Sequence, residues 1–365
     1  MMILKTEERT IKDNYLLSLL NGEIYMNNLE FQNSLDRIKG LTVAIVYIFE
    51  GEQAAGFAHY HIWKGDIISK WLNAIANVGC RPFILDVRTF VEKAFSNTLP
   101  HIDFVINLNC GSTDLDPMAI VPSTCAFLGI PCIPCGSFSV LAGENKYHSN
   151  LLAKECGLLV SPTCEASDPN GIFRPLNWGS SLGVVRGKCP TAQKGIYQKF
   201  IKGFDITTPA IFNPLTENFD FLPTIVYVPK NQDINWFFGE TAKEEKIGYQ
   251  RELVYDLCDS LKEKYIELIR IIGVKTFCRI DARIMVSNYN DIDAILSSPI
   301  SDRNLYFVEI NVMPTVNTNN SFGFSYAGFR DSPSQAKLLR LLDSNYPQMD
   351  VHTFVLATTL LAYYI

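Results

Sequence analysis

We predict an α/β protein in which a parallel-sheet N-terminal domain is followed by two α+β subdomains. Apolar strand-like runs alternate with helical segments as far as about residue 140, which favours a parallel, doubly wound sheet. Beyond that point, short strands follow one another between turn signals. The length of 365 residues is too great for one small core and suits two or three domains.

Hydrophobic periodicity predicts the elements of the first domain, which we place at residues 41–140. Four short apolar runs are typical of buried strands, and they lie at 41–47, 81–87, 102–108 and 130–133. Helical spacing predicts helices at 66–78, where Gly79 is a stop signal, and at 118–128. Residues 1–40 precede this domain as an amphipathic, asparagine-rich extension.

We divide the rest of the chain into three segments. A central subdomain, 141–220, begins with a helix at 145–156, and its predicted strands lie at 172–174, 197–201 and 205–208. In the C-terminal subdomain, 221–330, we predict a strand at 223–228, a loop at 230–248 and one long amphipathic helix at 249–272. Helices at 333–342 and 351–364 form the last segment, 331–365, and we expect the final helix to pack on the body of the protein.

Composition argues against several classes of function. The net charge is −6 and no basic run occurs, so nothing predicts a nucleic-acid partner. The charged N-terminus lacks a signal-peptide pattern and the apolar run at 354–365 is too short to span a bilayer, so we expect a cytoplasmic protein without a membrane partner. The ten cysteines are scattered through apolar segments, which favours buried free thiols. Cys132 and Cys135 have CxxC spacing, but no second CxxC accompanies them, and we predict a structural role.

Two segments with period-two alternation carry the most informative side chains. Arg279 and Asp281 share one face of a predicted strand, and Glu309 and Asn311 share one face of another. If these strands pair, hard oxygen ligands suited to Mg²⁺ converge beside an arginine that can neutralise a transferring phosphoryl group. The same residue types also form ordinary cross-strand pairs on solvated sheets, and taken alone that alternative is about equally favoured.

Other segments could bind a nucleotide. The loop at 175–183 is rich in glycine and serine, but it lacks both the P-loop ending and the GxGxxG pattern. Lys146, Arg174 and Lys243 are cations near this loop or in the predicted loop at 230–248, although an isolated lysine is usually a solvated surface residue. The segment 198–205 could contact an adenine edge and a ribose, or be only a hairpin.

In order and spacing, these segments resemble the D-alanine:D-alanine ligase branch of the ATP-grasp superfamily. The most specific matches are 273–281 and 308–314, preceded in the same order by 128–131, 144–146 and 157–162. The resemblance spans about residues 43–321 and implies a three-domain ATP-grasp fold and a homodimer. It also implies ATP and two Mg²⁺ ions, for which Mn²⁺ can substitute.

Carried over by position, the resemblance implies a role for each matching residue. The expected phosphate ligands are Lys146, Arg174, Ser180, Ser181, Gly183 and Lys243, with Ser180 also counted as catalytic. The adenine pocket would be formed by Gln198, Lys199, Phe200 and Ile201, with Asp205 on the ribose. Asp281, Glu309 and Asn311 would hold the metal ions, and Arg279 would be catalytic by stabilising the developing anion. The family usually has lysine at position 174 and glutamate at 198 and 205.

The departures from the family pattern lie in the amino-acid pockets. The segment 48–61 is longer than expected, and Glu52 and His59 are our candidate substrate ligands there. Glu244 stands where the family has tyrosine, and Thr315 stands where it has glycine. The acceptor segment 316–321 is rich in amides, with Asn317, Asn320 and Ser321 as further substrate candidates.

We therefore expect an ATP-dependent, ADP-forming ligase that joins a small-molecule carboxylate to an amine, specialised for substrates other than two D-alanines. An authentic D-alanine:D-alanine ligase and an ATP-binding pseudoenzyme are the alternatives. A dehydrogenase is excluded because no GxGxxG follows the first strand.

Overall fold

The computed structural model describes residues 28–49, 65–109, 115–187, 194–240, 242, 248–332 and 337–364. The described part of the N-terminal extension is a helix, α1 (Asn28–Ile38), whose Phe31, Leu35 and Ile38 are buried. Candidate residues Glu52, His59 and Lys243 lie outside the described residues.

The first sheet is parallel, as predicted, and has the order β2-β1-β3-β4. Its strands are β1 (Thr42–Tyr47), β2 (Arg81–Asp86), β3 (Phe104–Asn107) and β4 (Cys132–Ile133). The helices of this region are α2 (Gly65–Asn77), α3 (Val87–Phe95), α4 (Leu115–Leu128) and α5 (Ser137–Gly143). Alternate residues of β1 enter two different cores, Val43 on one face and Ala44 on the other, so the sheet is buried on both faces.

Two further sheets hold the residues of interest. The smaller is antiparallel, with the order β7-β6-β8, and its strands are β6 (Gly171–Pro175), β7 (Val185–Arg186) and β8 (Gly195–Lys199). It follows helix α6 (Lys146–Glu155) in the chain. The larger sheet has the order β12-β11-β9-β13-β14-β5, with β10 beside β9. Its strands are β5 (Leu159–Val160), β9 (Gly203–Asn213), β10 (Asn218–Phe221), β11 (Thr224–Pro229), β12 (Tyr249–Val254), β13 (Phe277–Met285) and β14 (Leu305–Asn311).

The prediction of one helix over 249–272 is wrong. Residues 249–254 form strand β12, which pairs with β11 from Tyr249 opposite Pro229 to Val254 opposite Thr224. The helix α7 (Asp259–Ile272) begins only after Cys258 and ends at Gly273, whose φ of +79° closes it. The apolar positions of 249–254 also fit a helical pattern, and pairing with β11 decides between the two.

Helices complete the C-terminal part of the chain. They are α8 (Ile292–Leu296), preceded by a single 3₁₀ turn (Tyr289–Asp291), and then α9 (Ser321–Asp331), α10 (Lys337–Asn345) and α11 (Val351–Leu361). Every residue of α11 is buried, which confirms that the final helix packs on the body of the protein. In the part of the chain that the structure describes, no helix has the length and apolar character needed to cross a bilayer.

Candidate active site

Strand pairing brings the metal-ligand candidates together, as the alternation of polar residues predicted. β13 and β14 are antiparallel neighbours, with Arg279 opposite Asn311 and Asp281 opposite Glu309. The register shifts between Asp281 and Ala282, immediately after the paired carboxylates. Strand β9 flanks β13 on its other side and places Thr207 opposite Asp281.

The Asp281 carboxylate lies at the centre of this group. Arg279 binds it with two nitrogens, Nε at 3.0 Å from Oδ1 and Nη2 at 2.8 Å from Oδ2. Thr207 Oγ1 donates to Oδ1 over 2.8 Å, and Asn311 Nδ2 donates to Oδ2 over 3.0 Å. Burial is the largest single effect on Arg279 and disfavours its charged form, but the charge and hydrogen bonds of Asp281, with smaller contributions from Tyr227 and Glu309, together raise the pKa of the guanidinium above its ordinary value.

Two buried cations face these carboxylates. Lys146 is the first residue of α6, only 5% exposed, and its Nζ lies 2.7 Å from the Trp178 carbonyl oxygen and 3.3 Å from Glu309 Oε2. Asn145 caps the helix by accepting from the backbone N–H groups of Tyr147 and His148. This cap fixes the point at which the helix begins and therefore the position of Lys146.

Arg174, on β6, is 7% exposed and makes no ion pair among the described residues. Its Nη1 donates to the Val308 carbonyl over 2.8 Å, and its Nη2 donates to Gln198 Oε1 over 2.6 Å. Burial lowers the pKa of the Arg174 guanidinium to about 10. The charge of Glu309 offsets the cost of burying this guanidinium only in part, so Arg174 favours an anionic ligand.

The backbone of the glycine- and serine-rich loop at 175–183 forms a tight turn. Ser180, Ser181 and Gly183 have positive φ values of 56°, 61° and 64°. Serine seldom adopts this conformation, and such strain is concentrated at functional sites. Ser181 Oγ donates to the Phe238 carbonyl over 3.2 Å, so the loop touches the described part, 230–240, of the predicted loop at 230–248.

Most predicted nucleotide ligands line one cavity of about 120 Å³. It is bounded by Lys146, Arg174, Ser181, Gln198, Lys199, Phe200, Ile201, Asp205, Asp281 and Glu309, together with Phe237 and Phe238. The Gln198 amide is fixed by Arg174 and by a 2.9 Å bond from its Nε2 to the Ser161 carbonyl. The ammonium of Lys199 pairs with Asp168, so only the backbone and aliphatic part of Lys199 face the cavity.

Two further residues near the site, Arg283 and Glu144, were not among the candidates predicted from the sequence. Arg283 lies opposite Asp205 in the β9–β13 pairing, and its Nη1 is 2.8 Å from Asp205 Oδ1. In the sequence, only the period-two alternation that places Arg283 on the same strand face as Arg279 and Asp281 pointed to a role for Arg283.

Glu144 Oε1 accepts from the Val312 N–H over 3.0 Å, just beyond β14. Burial and then the charge of Glu309 raise the pKa of Glu144 to about 7.

The amide-rich segment before α9 is held by two side chains that sequence reasoning also missed. Lys70 of α2 donates to Asn317 Oδ1 over 2.8 Å. Tyr227 of β11 shares a 2.6 Å hydrogen bond with Ser321 Oγ, and Asn320 is the N-cap of α9. The segment therefore connects helix α2 to strand β11 of the larger sheet.

The oxygen donors at this site are of the type that a hard cation prefers, but hydrogen bonds within the protein occupy those of Asp281 in this structure. Within the described residues, no three His, Cys, Asp or Glu side chains are grouped to bind a metal ion, and this site offers two carboxylates with one amide. Asp281 already accepts four hydrogen bonds, which uses the capacity of a carboxylate. A metal ion would require the Asn311 amide to rotate, so that its oxygen rather than its NH₂ faces the ion.

The CxxC pair has no metal-site geometry. Cys132 and Cys135 are free thiols, and Cys135 Sγ lies 3.6 Å from the Val312 carbonyl in a buried position. Burial raises the pKa of the Cys135 thiol well above its ordinary value, which makes it unreactive. The eight cysteines in the described part of the chain are all free, as expected.

The architecture defined by these sheets is the three-domain ATP-grasp fold of D-alanine ligases. The D-alanine–D-alanine ligase of Bacillus anthracis complexed with ATP has 16% identity, with 88% of this chain and 98% of that chain covered and a TM-score of 0.54. A second structure of that ligase has 17% identity, the same coverage and a TM-score of 0.55. The VanG D-Ala:D-Ser ligase of Enterococcus faecalis has 13% identity, with 90% and 100% covered and a TM-score of 0.54. Neither a protein-family model nor a curated protein sequence matches the chain.

Proposed function

We propose that the protein is an ATP-dependent ligase that joins a carboxylic acid to an amine through an acyl phosphate. The observation that carries the proposal is a pair of buried cations, Lys146 and Arg174, facing Asp281 and Glu309 across one cavity. The charge of Glu309 only partly offsets the burial of Arg174, so a bound polyphosphate would complete its environment. The likeness of the fold to ligases, one of them complexed with ATP, supports the same conclusion.

In the proposed reaction, a carboxylate oxygen attacks the γ-phosphorus of ATP, and the bond from that phosphorus to ADP breaks. The amine nitrogen then attacks the carbonyl carbon of the acyl phosphate, inorganic phosphate leaves and the nitrogen loses a proton. Lys146, Arg174 and the serine loop would hold the phosphates, and Arg279 would stabilise the negative charge that develops. Mg²⁺ held by Asp281, Glu309 and Asn311 would neutralise phosphate charge and act as a Lewis acid.

We propose that the protein is a specialised amino-acid or dipeptide ligase. The segment expected to receive the acceptor carries Asn317, Asn320 and Ser321, and Thr315 replaces the glycine of the family. Lys70 and Tyr227 fix two of these side chains in place, so the acceptor pocket would be shaped by residues that the family pattern does not include.

Phosphate release from ATP and Mg²⁺, measured against amino acids singly and in pairs, tests the function. We expect release that requires two substrates and yields an amide detectable by mass spectrometry. Release with D-alanine alone would indicate an authentic D-alanine:D-alanine ligase. ATP binding without release under any pair would identify a pseudoenzyme and contradict the proposal.

A further inference from the structure

Arg283 connects three segments around the proposed nucleotide pocket. It is 5% exposed, lies on β13 and lines the cavity. Its Nη2 donates to the carbonyls of Gly203, Trp236 and Ile234 over 2.8, 2.6 and 3.2 Å, and its Nε donates to the Ile201 carbonyl. Because Ile201 and Gly203 belong to the pocket wall and Ile234 and Trp236 to the segment 230–240, this side chain reinforces the direct 2.8 Å bond from the Gly203 N–H to the Ile234 carbonyl.

The ion pair with Asp205 extends this connection. Asp205 Oδ1 lies 2.8 Å from Arg283 Nη1, while its other oxygen accepts from the Phe238 N–H over 2.6 Å. The guanidinium of Arg283 also lies over the Phe200 ring, 4.8 Å from its centroid, and Phe237 packs edge-on against the same ring at 6.2 Å. The aromatic residues at 237 and 238 are thereby placed over the cavity.

A lysine or an apolar side chain could not reproduce this arrangement. The contacts need several donors in one plane, directed at backbone carbonyls on both sides of the pocket, which only the guanidinium supplies. The four carbonyls that accept from Arg283 are main-chain groups of segments far apart in the sequence. Their relative positions are therefore set by Arg283 together with the backbone bond from Gly203 to Ile234.

We propose that Arg283 is a positioning residue that fixes the segment 230–240 over the nucleotide pocket, so that nucleotide affinity and the exclusion of water depend on it. This inference rests on the proposed function for the identity of the ligand. Arg283 would not touch the reacting atoms. It would act through Asp205 and through the backbone of Trp236 and Phe238.

The test uses Arg283→Met and Arg283→Lys in the full chain, with Arg303→Met as a matched control because Arg303 is exposed on the connection before β14. ADP with Mg²⁺ is the probe, and its dissociation constant is measured by calorimetry well below the unfolding temperature of each variant. We expect the methionine variant to bind ADP at least about tenfold more weakly, the lysine variant to be intermediate and the control to be unchanged.

A spectroscopic measurement separates positioning from a general loss of stability. Acrylamide quenching of Trp236, isolated by comparison with Trp236→Phe, should increase in Arg283→Met even without nucleotide, because its backbone carbonyl loses the contact. Unchanged quenching and unchanged ADP affinity in Arg283→Met would overturn the inference alone. No ADP binding by the unaltered protein would overturn the proposed function and this inference with it. If the methionine variant does not fold, the lysine variant decides by the same criteria.

Discussion

Two carboxylates occupy the centre of the site, and their surroundings differ. Asp281 is enclosed by donors, above all the bidentate Arg279, whereas Glu309 lies beside Lys146 and raises the pKa of Glu144. Substitution at Asp281 removes the bidentate partner of Arg279, whereas substitution at Glu309 removes the ion pair of Lys146, which still donates to the Trp178 carbonyl. Glu309 is therefore the cleaner position at which to test metal binding.

We predict that Glu309→Gln abolishes turnover while the protein stays folded. The amide keeps the shape of the carboxylate but removes the charge that a metal ion would need, so we expect at least a 1,000-fold loss, about 4 kcal/mol. Phosphate release and circular dichroism measure the two effects. Asp281→Asn should abolish turnover equally and also lower the unfolding temperature.

The control for Glu309→Gln is Glu263→Gln, an exposed glutamate on α7 that should leave turnover unchanged. Full activity in Glu309→Gln would show that this carboxylate is not a metal ligand.

Glu144 should make the stability of the protein depend on pH. Its pKa is about 7 in the folded protein against an ordinary value of 4.5. Between these values the folded state holds a proton that the unfolded state has lost, so the free energy of unfolding falls as pH rises through this window. We expect a decrease of about 3 kcal/mol attributable to Glu144, complete above pH 7.

Urea unfolding of the unaltered protein and of Glu144→Gln, at several pH values and in EDTA, measures this dependence. The glutamine cannot ionise, so the difference between the two proteins should grow from pH 4.5 to 7 in favour of the variant. A constant difference across the window would mean that Glu144 is already charged when folded.

At the scale of elements, the start of β9 is the most constrained backbone. Gly203 has a φ of +144°, and a Cβ there would lie 1.8 Å from the Ile284 carbonyl oxygen on β13. Only glycine permits this approach of the two strands, which carry Asp205 and Arg283. The glycine thus decides whether the central strand pair can form.

We predict that Gly203→Ala destabilises the protein by about 3 kcal/mol or more, because the backbone of β13 would have to move. Gly65→Ala is the control, since a Cβ at that position has nothing within 4 Å. Thermal unfolding of the two variants checks the prediction, and equal unfolding temperatures would contradict it.

Local sequence patterns predicted most strands and helices but could not resolve some segments. The run Tyr249–Val254 fits both strand and helix periods over six residues, and only its partner β11 decides. Helix α9 was missed because Asn320, Gly323 and Gly328 favour turns in isolation, and burial of Phe322 and Tyr326 overrides that preference. The cross-strand partners Thr207 and Arg283 required the register, which alternation alone does not give.

For the molecule as a whole, α11 is the element that joins separate regions. Leu356 and its neighbours Phe354 and Val355 are 0–1% exposed and belong to the same core as Val43 of β1, Trp71 of α2 and Ile211 of β9. Its His352 packs edge-on against Trp71 at 5.1 Å. The sequence predicted this helix and its packing on the body, but not which sheets it would connect.

We predict that Leu356→Ala lowers the free energy of unfolding by about 2–5 kcal/mol, because it leaves a cavity in a core shared by two sheets. Leu151→Ala is the matched control, since Leu151 is 47% exposed on α6. Urea unfolding followed by tryptophan fluorescence and by circular dichroism measures both. A loss below about 1 kcal/mol for Leu356→Ala would show that this core tolerates the cavity.

The position of α11 also bears on how the protein is made. A chain leaves the ribosome N-terminus first, so β1 to β4 emerge long before the helix that covers one of their faces. Val43 and Val355 belong to one core but lie roughly 300 residues apart in the sequence, a separation that slows folding. Until the helix emerges, that face remains open to water and to other nascent chains. The core of the first domain is consequently completed only after the final helix has been made. Chaperones that shield apolar surfaces should therefore bind the chain during its synthesis.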